Sequence, residues 1–155
     1  MSQASRSNRG KLRILFLCTG NSCRSQMAEG WVRHLYGDKI EVSSAGIEKH
    51  GLDSRAVKVM AEAGIDNSSH QSKRIDDLPN LEFDYVITLC DKAKESCPFF
   101  PGDAKLIHAG FPDPVTLAKD TPDEEQKLMH YRRVRDEIAA FLEKLPEALP
   151  KLSDQ

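Results

Sequence analysis

One short stretch holds a thiol and a guanidinium at a spacing that suits anion chemistry: LFLCTGNSCRSQMAEG, from Leu15 to Gly30. Five residues separate Cys18 from Arg24. An apolar run precedes Cys18 and a helical pattern follows Arg24, so the glycine-containing turn between them can aim backbone N–H groups at an anion. The arginine adds a planar fork for two oxygens of a tetrahedral oxyanion. A thiol held among such dipoles ionises at neutral pH, so the stretch predicts an oxyanion cradle around a thiolate.

The predicted oxyanion-binding loop consists of Thr19, Gly20, Asn21, Ser22, Cys23, Arg24 and Ser25. Gly20 and Asn21 are residue types that tolerate the left-handed backbone that a tightly looped turn demands. Ser25 stands where its hydroxyl could donate a hydrogen bond to the Cys18 sulfur. The alternative interpretation is a structural turn that starts with a cysteine and is followed by a surface arginine.

A carboxylic acid for the same chemistry is found much later, in HAGFPDPV. A displacement at an oxyanion needs a group that protonates the leaving oxygen, and Asp113 is the candidate. Pro112 and Pro114 restrict the backbone on both sides of it. An aspartate beside a proline also commonly begins a turn, and that alternative stays open.

The cysteines at 90 and 97 separate two kinds of enzyme. A phosphatase needs only one thiolate, an arginine, an acid and water. In a reductase, Cys90 would attack the sulfur of a Cys18 adduct, the central atom would leave with two electrons, and Cys97 would resolve the Cys18–Cys90 disulfide by exchange. Zinc is disfavoured, because the C-x4-C and C-x6-C gaps differ from the C-x2-C pairs of structural zinc sites and no histidines cluster near them.

The segment CDKAKESC between the last two cysteines has a composition that favours a helix. Seven helical residues span about 10 Å, whereas the Cα atoms of a disulfide must lie within about 7 Å of each other. A Cys90–Cys97 bond therefore predicts local unwinding that carries the disulfide to the surface, where an external reductant reaches it. Two unrelated thiols that flank a helix are the alternative.

The elements that must position these residues alternate between strands and helices. Four short apolar runs predict strands, over Leu12–Leu17, Ile40–Ser44, Tyr85–Leu89 and Ala104–Ala109. Such alternation indicates a doubly wound α/β sheet of mainly parallel strands, in which ligands bind beyond the carboxyl ends of the strands. Cys18, Cys90 and Asp113 each follow one of these runs, so we expect them at one edge of the sheet.

Three helices are predicted from apolar residues at helical spacing. The first covers Gln26–Tyr36, and the second covers Ser54–Ala63 with Ser54 as N-cap and Gly64 as its stop. TPDE, from Thr121 to Glu124, predicts a capping box with a proline at the first position of the last helix. An apolar stripe follows it: Leu128, Tyr131, Val134, Ile138, Phe141 and Leu145.

Bulk properties limit the classes of protein. The length of 155 residues predicts one domain, divided into a flexible tail over residues 1–10, a catalytic α/β domain over 11–148 and a C-terminal tail over 149–155. A net charge of −2 and a pI near 6.2 argue against binding to nucleic acid or a membrane surface. No secretory signal or membrane-spanning run is recognised. We therefore expect a cytoplasmic protein, and a monomer.

Together, CTGNSCRSQMAEG, TLC…SCP and HAGFPDP resemble the motifs of thioredoxin-coupled arsenate reductases built on the low-molecular-weight tyrosine phosphatase fold. The resemblance runs from about Lys11 to the end of the last helix. It implies a three-layer sandwich with a four-stranded sheet of order 2-1-3-4 and helices on both faces. It also implies no bound cofactor, thioredoxin as the external reductant, and phosphate or sulfate as competing anions.

The resemblance carries roles for individual residues. Cys18 would attack arsenate, Arg24 would bind the oxyanion, and Asp113 would be the acid. Cys90 would release arsenite, and Cys90 and Cys97 would form the final disulfide for thioredoxin. Asn21 would brace the loop and Ser25 would support the thiolate, whereas Cys23 would be structural.

Some members of this family hold a potassium ion near the loop, and Asn21, Glu29 and Ser44 match that site. Lys73 stands where the remaining carboxylate is expected. Its ammonium would replace the ion, contact Glu29, and make activity indifferent to potassium.

Two other functions are weighed against the reductase. Low-molecular-weight tyrosine phosphatases usually carry aromatic residues just after the Asp-Pro pair and a proline after Arg-Ser, whereas this chain has Val115, Thr116 and Gln26 at those positions. A non-enzymatic thiol sensor would use the last two cysteines alone, and arsenate would not accelerate oxidation of its reductant.

Overall fold

Four parallel strands form the single sheet of the described structure, a computed structural model that covers residues 11–98, 100, 102 and 104–149. The strands are β1 (Leu12–Cys18), β2 (Ile40–Gly46), β3 (Tyr85–Thr88) and β4 (Lys105–His108). Their order is β2-β1-β3-β4, with every neighbouring pair parallel. The predicted doubly wound sheet and its strand order are confirmed. The predicted tail over 1–10 and all but residue 149 of the predicted tail over 149–155 lie outside the described residues.

Burial along the strands shows how the sheet is covered. Every residue of β1 and of β3 is buried, and since successive side chains point to opposite faces, both faces are covered there. β4 is the exposed edge, where Leu106 is 58% exposed. In the pairing, Cys18 lies opposite Gly46 and Leu17 lies opposite Thr88. The carboxyl ends of β1 and β3 are therefore neighbours.

A short 3₁₀ helix (Ile75–Asp77) and six α-helices complete the described fold: α1 (Arg24–Tyr36), α2 (Ser54–Glu62), α3 (Asp91–Glu95), α4 (Pro114–Ala118), α5 (Glu124–Glu143) and α6 (Leu145–Ala148). The long helix α5 packs against α1, α2 and α4. Its buried stripe contains the predicted Leu128, Tyr131, Val134 and Ile138. Phe141 is only half-buried, Leu142 is buried although it was not predicted, and the predicted Leu145 is buried in α6. None of the described helices combines the length and the apolar character needed to cross a membrane.

All three predicted helix starts differ from the structure, and in two of them an aspartate caps the helix instead. The N-cap of α2 is Asp53, whose carboxylate accepts two backbone N–H bonds of 2.8 and 3.2 Å, and Ser54 is the first helical residue. The N-cap of α5 is Asp123. Thr121 still belongs to the turn that ends α4, because its N–H donates to the carbonyl of Ala118, so no capping box forms there.

The C-terminal boundary of the domain also lies later than predicted. Leu149 was assigned to the tail, yet it is fully buried in the core, and its N–H donates to the Leu145 carbonyl at 2.9 Å. An apolar side chain in the core is stabilised by removal from water. The folded domain therefore includes residue 149.

Candidate active site: a thiol in an oxyanion cradle

The cradle connects the end of β1 to the start of α1. Cys18 is the last residue of the strand and Arg24 is the first of the helix, two residues earlier than predicted. The first turn of α1 is buried although it is polar, with Arg24, Ser25 and Gln26 exposed by 8% or less. Buried polar groups need partners, so the hydrogen bonds around the loop define the site.

The carbonyl groups of the loop are all hydrogen-bonded to the surrounding scaffold. Those of residues 18 to 23 accept hydrogen bonds, in order, from Ile47, Glu48, His50, Gln26, Asp53 and Met27, at 2.8–3.1 Å. In a trans peptide the N–H points opposite to the C=O. The N–H groups of residues 19 to 24 are therefore directed into the concave side, which gives an anion a ring of donors.

The thiol of Cys18 lines the same pocket as the loop and lies next to a hydroxyl. Its sulfur is 2.9 Å from the Oγ of Ser25. Asn21 donates its side-chain N–H to the same Oγ at 2.8 Å, which leaves the Ser25 hydroxyl hydrogen available to the sulfur. The structure thus places Ser25 beside Cys18, and an ionised thiolate would accept its hydrogen bond.

Asn21 braces the loop from within. It is fully buried and has a φ of +50°, the left-handed conformation predicted for it. Its amide oxygen accepts from the Lys73 N–H at 2.7 Å and from Gln26 at 3.1 Å, and its second N–H donates to Ser44 at 3.0 Å. All its hydrogen-bonding capacity is therefore used.

Gly20 is required for a reason other than the predicted one. It does not adopt a positive φ, so the expected left-handed conformation is wrong at this position. Instead, a Cβ on Gly20 would lie 2.2 Å from the ring of His50. The glycine permits close packing of the histidine against the loop.

The predicted contact between Lys73 and Glu29 is also wrong. Glu29 is buried, accepts from Ser44 at 2.5 Å and pairs with the Arg33 guanidinium at 2.5 Å. Lys73 offers its backbone N–H to Asn21 and, within the described part of the chain, has no ion pair with Glu29. Arg33 stands one helical turn from Glu29, so it reaches the carboxylate more readily. These side chains do not fit a potassium ion, because the guanidinium already neutralises the only carboxylate.

Arg24 and Asp113 meet at the mouth of the cradle. The guanidinium donates to the carbonyl of Phe111 at 2.9 Å, and its other nitrogen lies 3.9 Å from the Asp113 carboxylate. The carboxylate also caps α4, accepting from the N–H of Val115 and the hydroxyl of Thr116, both at 3.0 Å. Asp113 therefore caps a helix and borders the site, and its role as the acid stays a prediction.

The second thiol reaches the cradle through a hydroxyl. Cys90 follows β3, and its sulfur lies 3.2 Å from the Oγ1 of Thr19, the residue after Cys18. The sulfur also caps α3, accepting the Ala93 N–H at 3.4 Å. Cys97 lies beyond α3 and is partly buried, and burial raises the pKa of its thiol.

Cys23 is buried within the loop, and its surroundings disfavour ionisation of its thiol. Burial, followed by the negative charge of Asp53, raises its pKa well above the usual range. It therefore stays protonated at neutral pH. All four cysteines are free thiols in this structure.

Above the cradle lies a pocket of about 440 Å³. Its walls come from the loop, from Asp113 and Val115, and from a second segment, residues 50–53. The residues of that segment were not singled out from the sequence. His50 packs on Gly20, and Asp53 holds α2 while its carboxylate accepts the Tyr131 hydroxyl at 2.9 Å.

Comparison with known proteins shows to which family this fold belongs. The family model of the low molecular weight phosphotyrosine protein phosphatases matches residues 13–154. The chain belongs to this family. Among curated members, arsenate reductases of Bacillus licheniformis and Bacillus subtilis are each 51% identical to the chain, over 88% and 86% of its length and 96% and 94% of their own.

The solved structures that resemble this chain include arsenate reductases and tyrosine phosphatases. A structure described as an arsenate reductase in the phosphate binding state is 30% identical, with a TM-score of 0.64, and covers 86% of this chain and 95% of its own. A low molecular weight protein tyrosine phosphatase from T. tengcongensis is 31% identical, with a TM-score of 0.70, and covers 90% of this chain and all of its own. The family fold therefore accommodates both activities.

One sequence signal could have indicated the pocket wall formed by residues 50–53, which the sequence did not lead us to predict. The stretch SAGIEKHG places Gly46 at the end of β2, opposite Cys18. A Cβ on Gly46 would lie 2.7 Å from the Asn21 nitrogen. A glycine at the carboxyl end of a neighbouring strand is thus a sign of close backbone approach to the loop.

Proposed function

We propose that this chain is a thioredoxin-coupled arsenate reductase, acting as a monomer in the cytoplasm. The observation that carries the proposal is the contact between the Cys90 sulfur and Thr19 of the cradle, at 3.2 Å. A phosphatase has no use for a second thiol at this position. The curated relatives named arsenate reductase, about half identical over nearly the whole chain, support the same conclusion.

In the first step the cradle binds arsenate and Cys18 attacks arsenic. Arsenate has the shape and charge of phosphate, so the inward N–H groups and the Arg24 fork bind its oxygens. The Cys18 thiolate forms an S–As bond, the bond from arsenic to one oxygen breaks, and that oxygen leaves as water with a proton from Asp113. Ser25 stabilises the thiolate before the attack.

In the second step the electrons move from sulfur to arsenic. The Cys90 thiolate attacks the Cys18 sulfur, an S–S bond forms, and the S–As bond breaks. Its electron pair stays on arsenic, which leaves as arsenite in the +3 state while the two thiols are oxidised. The hydroxyl of Thr19 lies where it can donate to the Cys90 thiolate.

In the third step the oxidation moves outward. Cys97 attacks Cys90, the Cys18 thiolate leaves, and a Cys90–Cys97 disulfide remains. Reduced thioredoxin supplies two electrons and two protons and restores both thiols. Since α3 lies between the two cysteines, closing this bond requires its unwinding.

A tyrosine phosphatase is the second candidate, because the T. tengcongensis phosphatase shares the fold. The wall next to Asp113 argues against it. Val115 is there, 45% exposed, and an aliphatic side chain provides little stacking surface for a phenyl ring. Hydrolysis of aryl phosphates by the cradle would therefore be slow.

The deciding experiment measures arsenite formation from arsenate with purified thioredoxin, its reductase and the full chain. We expect Cys18→Ser, Cys90→Ser and Cys97→Ser each to abolish turnover. Cys23→Ser is the matched control, a buried thiol outside the relay, and should retain it. Turnover with Cys90→Ser, or equal loss in all four variants, would contradict the relay, and arsenate-independent oxidation of thioredoxin would favour the sensor.

A further inference from the structure

The helix between the two redox thiols is short and is held from outside. α3 has five residues, and only Ala93 among them is buried. A helix of this length is not stable by itself in water. Contacts with the rest of the fold must therefore maintain it while Cys90 and Cys97 are thiols.

One such contact connects α3 to the wall of the anion pocket. The ammonium of Lys92, on α3, donates to the Glu48 carboxylate at 2.6 Å. The other oxygen of Glu48 lies 2.6 Å from the His50 ring, and His50 packs on Gly20 and lines the pocket. Contacts among Lys92, Glu48 and His50 thus connect α3 continuously to the cradle.

Glu48, in the middle of these contacts, is itself bound to the backbone of the cradle. The Glu48 N–H donates to the Thr19 carbonyl at 2.8 Å. Hydrogen bonds from Lys92 and then from His50 lower the pKa of the Glu48 carboxyl. Glu48 is therefore ionised throughout the neutral range and holds the Lys92 ammonium by charge as well as by hydrogen bonding.

We propose that Lys92 is a positioning residue for the redox relay: its ion pair with Glu48 latches α3 in the thiol state and is released when Cys90 and Cys97 join. The inference rests on the proposed function, because it presumes that disulfide. Closing the disulfide changes the backbone conformation around Lys92. The ammonium then moves away from the Glu48 carboxylate, which stays attached to the cradle. The latch favours the thiol form, and so helps thioredoxin to complete each cycle.

The expected effect is modest, since both side chains are about half exposed, at 50% and 48%. Exposed ion pairs shift an equilibrium by about threefold. Removing the latch should shift the thiol–disulfide equilibrium of Cys90 and Cys97 toward the disulfide by this factor, or about 14 mV at about 30 mV per tenfold.

The test titrates this cysteine pair in the full chain carrying Cys18→Ser, so that Cys18 cannot form a mixed pair. Mixtures of reduced and oxidised dithiothreitol set the potential. The two thiols pass two electrons and two protons to the cyclic disulfide of dithiothreitol, and alkylation with mass spectrometry counts the remaining thiols. Lys92→Ala is compared with Lys94→Ala, an exposed lysine of the same helix with no ion pair in the described part of the chain.

We expect Lys92→Ala to favour the disulfide about threefold and Lys94→Ala to shift it by much less. The exchanged pair Lys92→Glu with Glu48→Lys should restore the equilibrium of the parent. Equal shifts in the two lysine variants, or no rescue by the exchange, would overturn the latch while the relay stands. If the parent itself forms no Cys90–Cys97 disulfide, the relay and the latch both fail.

Discussion

The cradle and the segment around α3 both carry a thiol of the proposed relay, yet the fold holds them in opposite ways. In the cradle, six consecutive carbonyls are hydrogen-bonded to the scaffold and Asn21 is fully buried. In the segment, a five-residue helix buries one side chain and is attached by half-exposed charges. Stability is therefore distributed unevenly at a single active site.

The difference follows from what each thiol has to do. A cradle stabilises charge best when its donors are already oriented, because no reorganisation then accompanies the reaction. A relay needs a segment that opens at low cost, and such segments have few buried apolar contacts. Under the proposed function, the rigid part binds the anion and the weakly held part opens to form the disulfide.

The largest effect should come from breaking the rigid part at Asn21. Asn21→Ala removes several buried hydrogen bonds and puts alanine at a positive φ, which it tolerates less well than asparagine. We expect a loss of about 3 kcal/mol in the free energy of unfolding and a fall in kcat/KM of about a hundredfold or more. Urea unfolding and steady-state arsenate reduction measure the two.

Asn67 provides the matched control, since it is 2% exposed and donates to the Gln26 carbonyl at 3.1 Å. In the described part of the chain its side chain has no hydrogen bond to the loop residues 18–24. Asn67→Ala should lower stability but leave kcat/KM within about threefold. If both variants lose activity in proportion to their stability, the cradle has no special rigidity.

The pH dependence of disulfide closure tests the weakly held segment around α3. Burial raises the pKa of Cys97, so its thiol keeps the proton at neutral pH, and the thiolate is the attacking form. The step from Cys18–Cys90 to Cys90–Cys97 should accelerate about tenfold per pH unit between about pH 6.5 and 8. Rapid acid quenching followed by disulfide mapping measures this rate.

Cys23→Ser should leave that profile unchanged, since the pKa of Cys23 is also raised but the proposed relay does not include this thiol. A rate that is flat over the same pH range would show that helix opening, rather than thiolate formation, limits closure.

A smaller effect is expected from loosening α3 itself. Glu95 is exposed at the end of α3, and a glycine there disfavours the helix by about 1 kcal/mol. Glu95→Gly should therefore shift the Cys90–Cys97 equilibrium toward the disulfide by about fivefold. Redox titration against dithiothreitol measures the shift.

Ala140→Gly is the comparison in the long helix α5, at an exposed position. It should lower global stability by about 1 kcal/mol and leave the redox equilibrium of the parent. Were both glycine variants to shift that equilibrium equally, unwinding would not be local to α3.

Much of the fold and of the reacting set could be predicted from the sequence because the signals are local. The apolar runs set the strands, and Cys18, Cys90 and Asp113 follow three of them. In a parallel sheet, residues after neighbouring strands meet at one edge. That rule places Cys90 near the cradle without knowledge of any side-chain contact.

The parts that escaped prediction depend on pairs distant in the chain. Nothing near Glu48 indicates that its partner is Lys92, and the pairing of Glu29 with Arg33 rather than Lys73 depends on which ammonium or guanidinium the backbone brings near. Helix starts failed differently, because neighbouring residues such as Asp53 and Ser54 are both good caps.

The smallest effect concerns potassium and the bracing of the cradle. Glu29 is already satisfied by Ser44 and Arg33, so an added ion has no free carboxylate to neutralise. At equal ionic strength, exchanging sodium for potassium should change kcat and KM of the full chain by less than about twofold. Arg33→Ala frees the Glu29 charge and should make the rate depend on the cation. Strong potassium activation of the unmodified chain would mean that Arg33 is displaced in solution, and that the cradle is less rigid than its hydrogen bonds indicate.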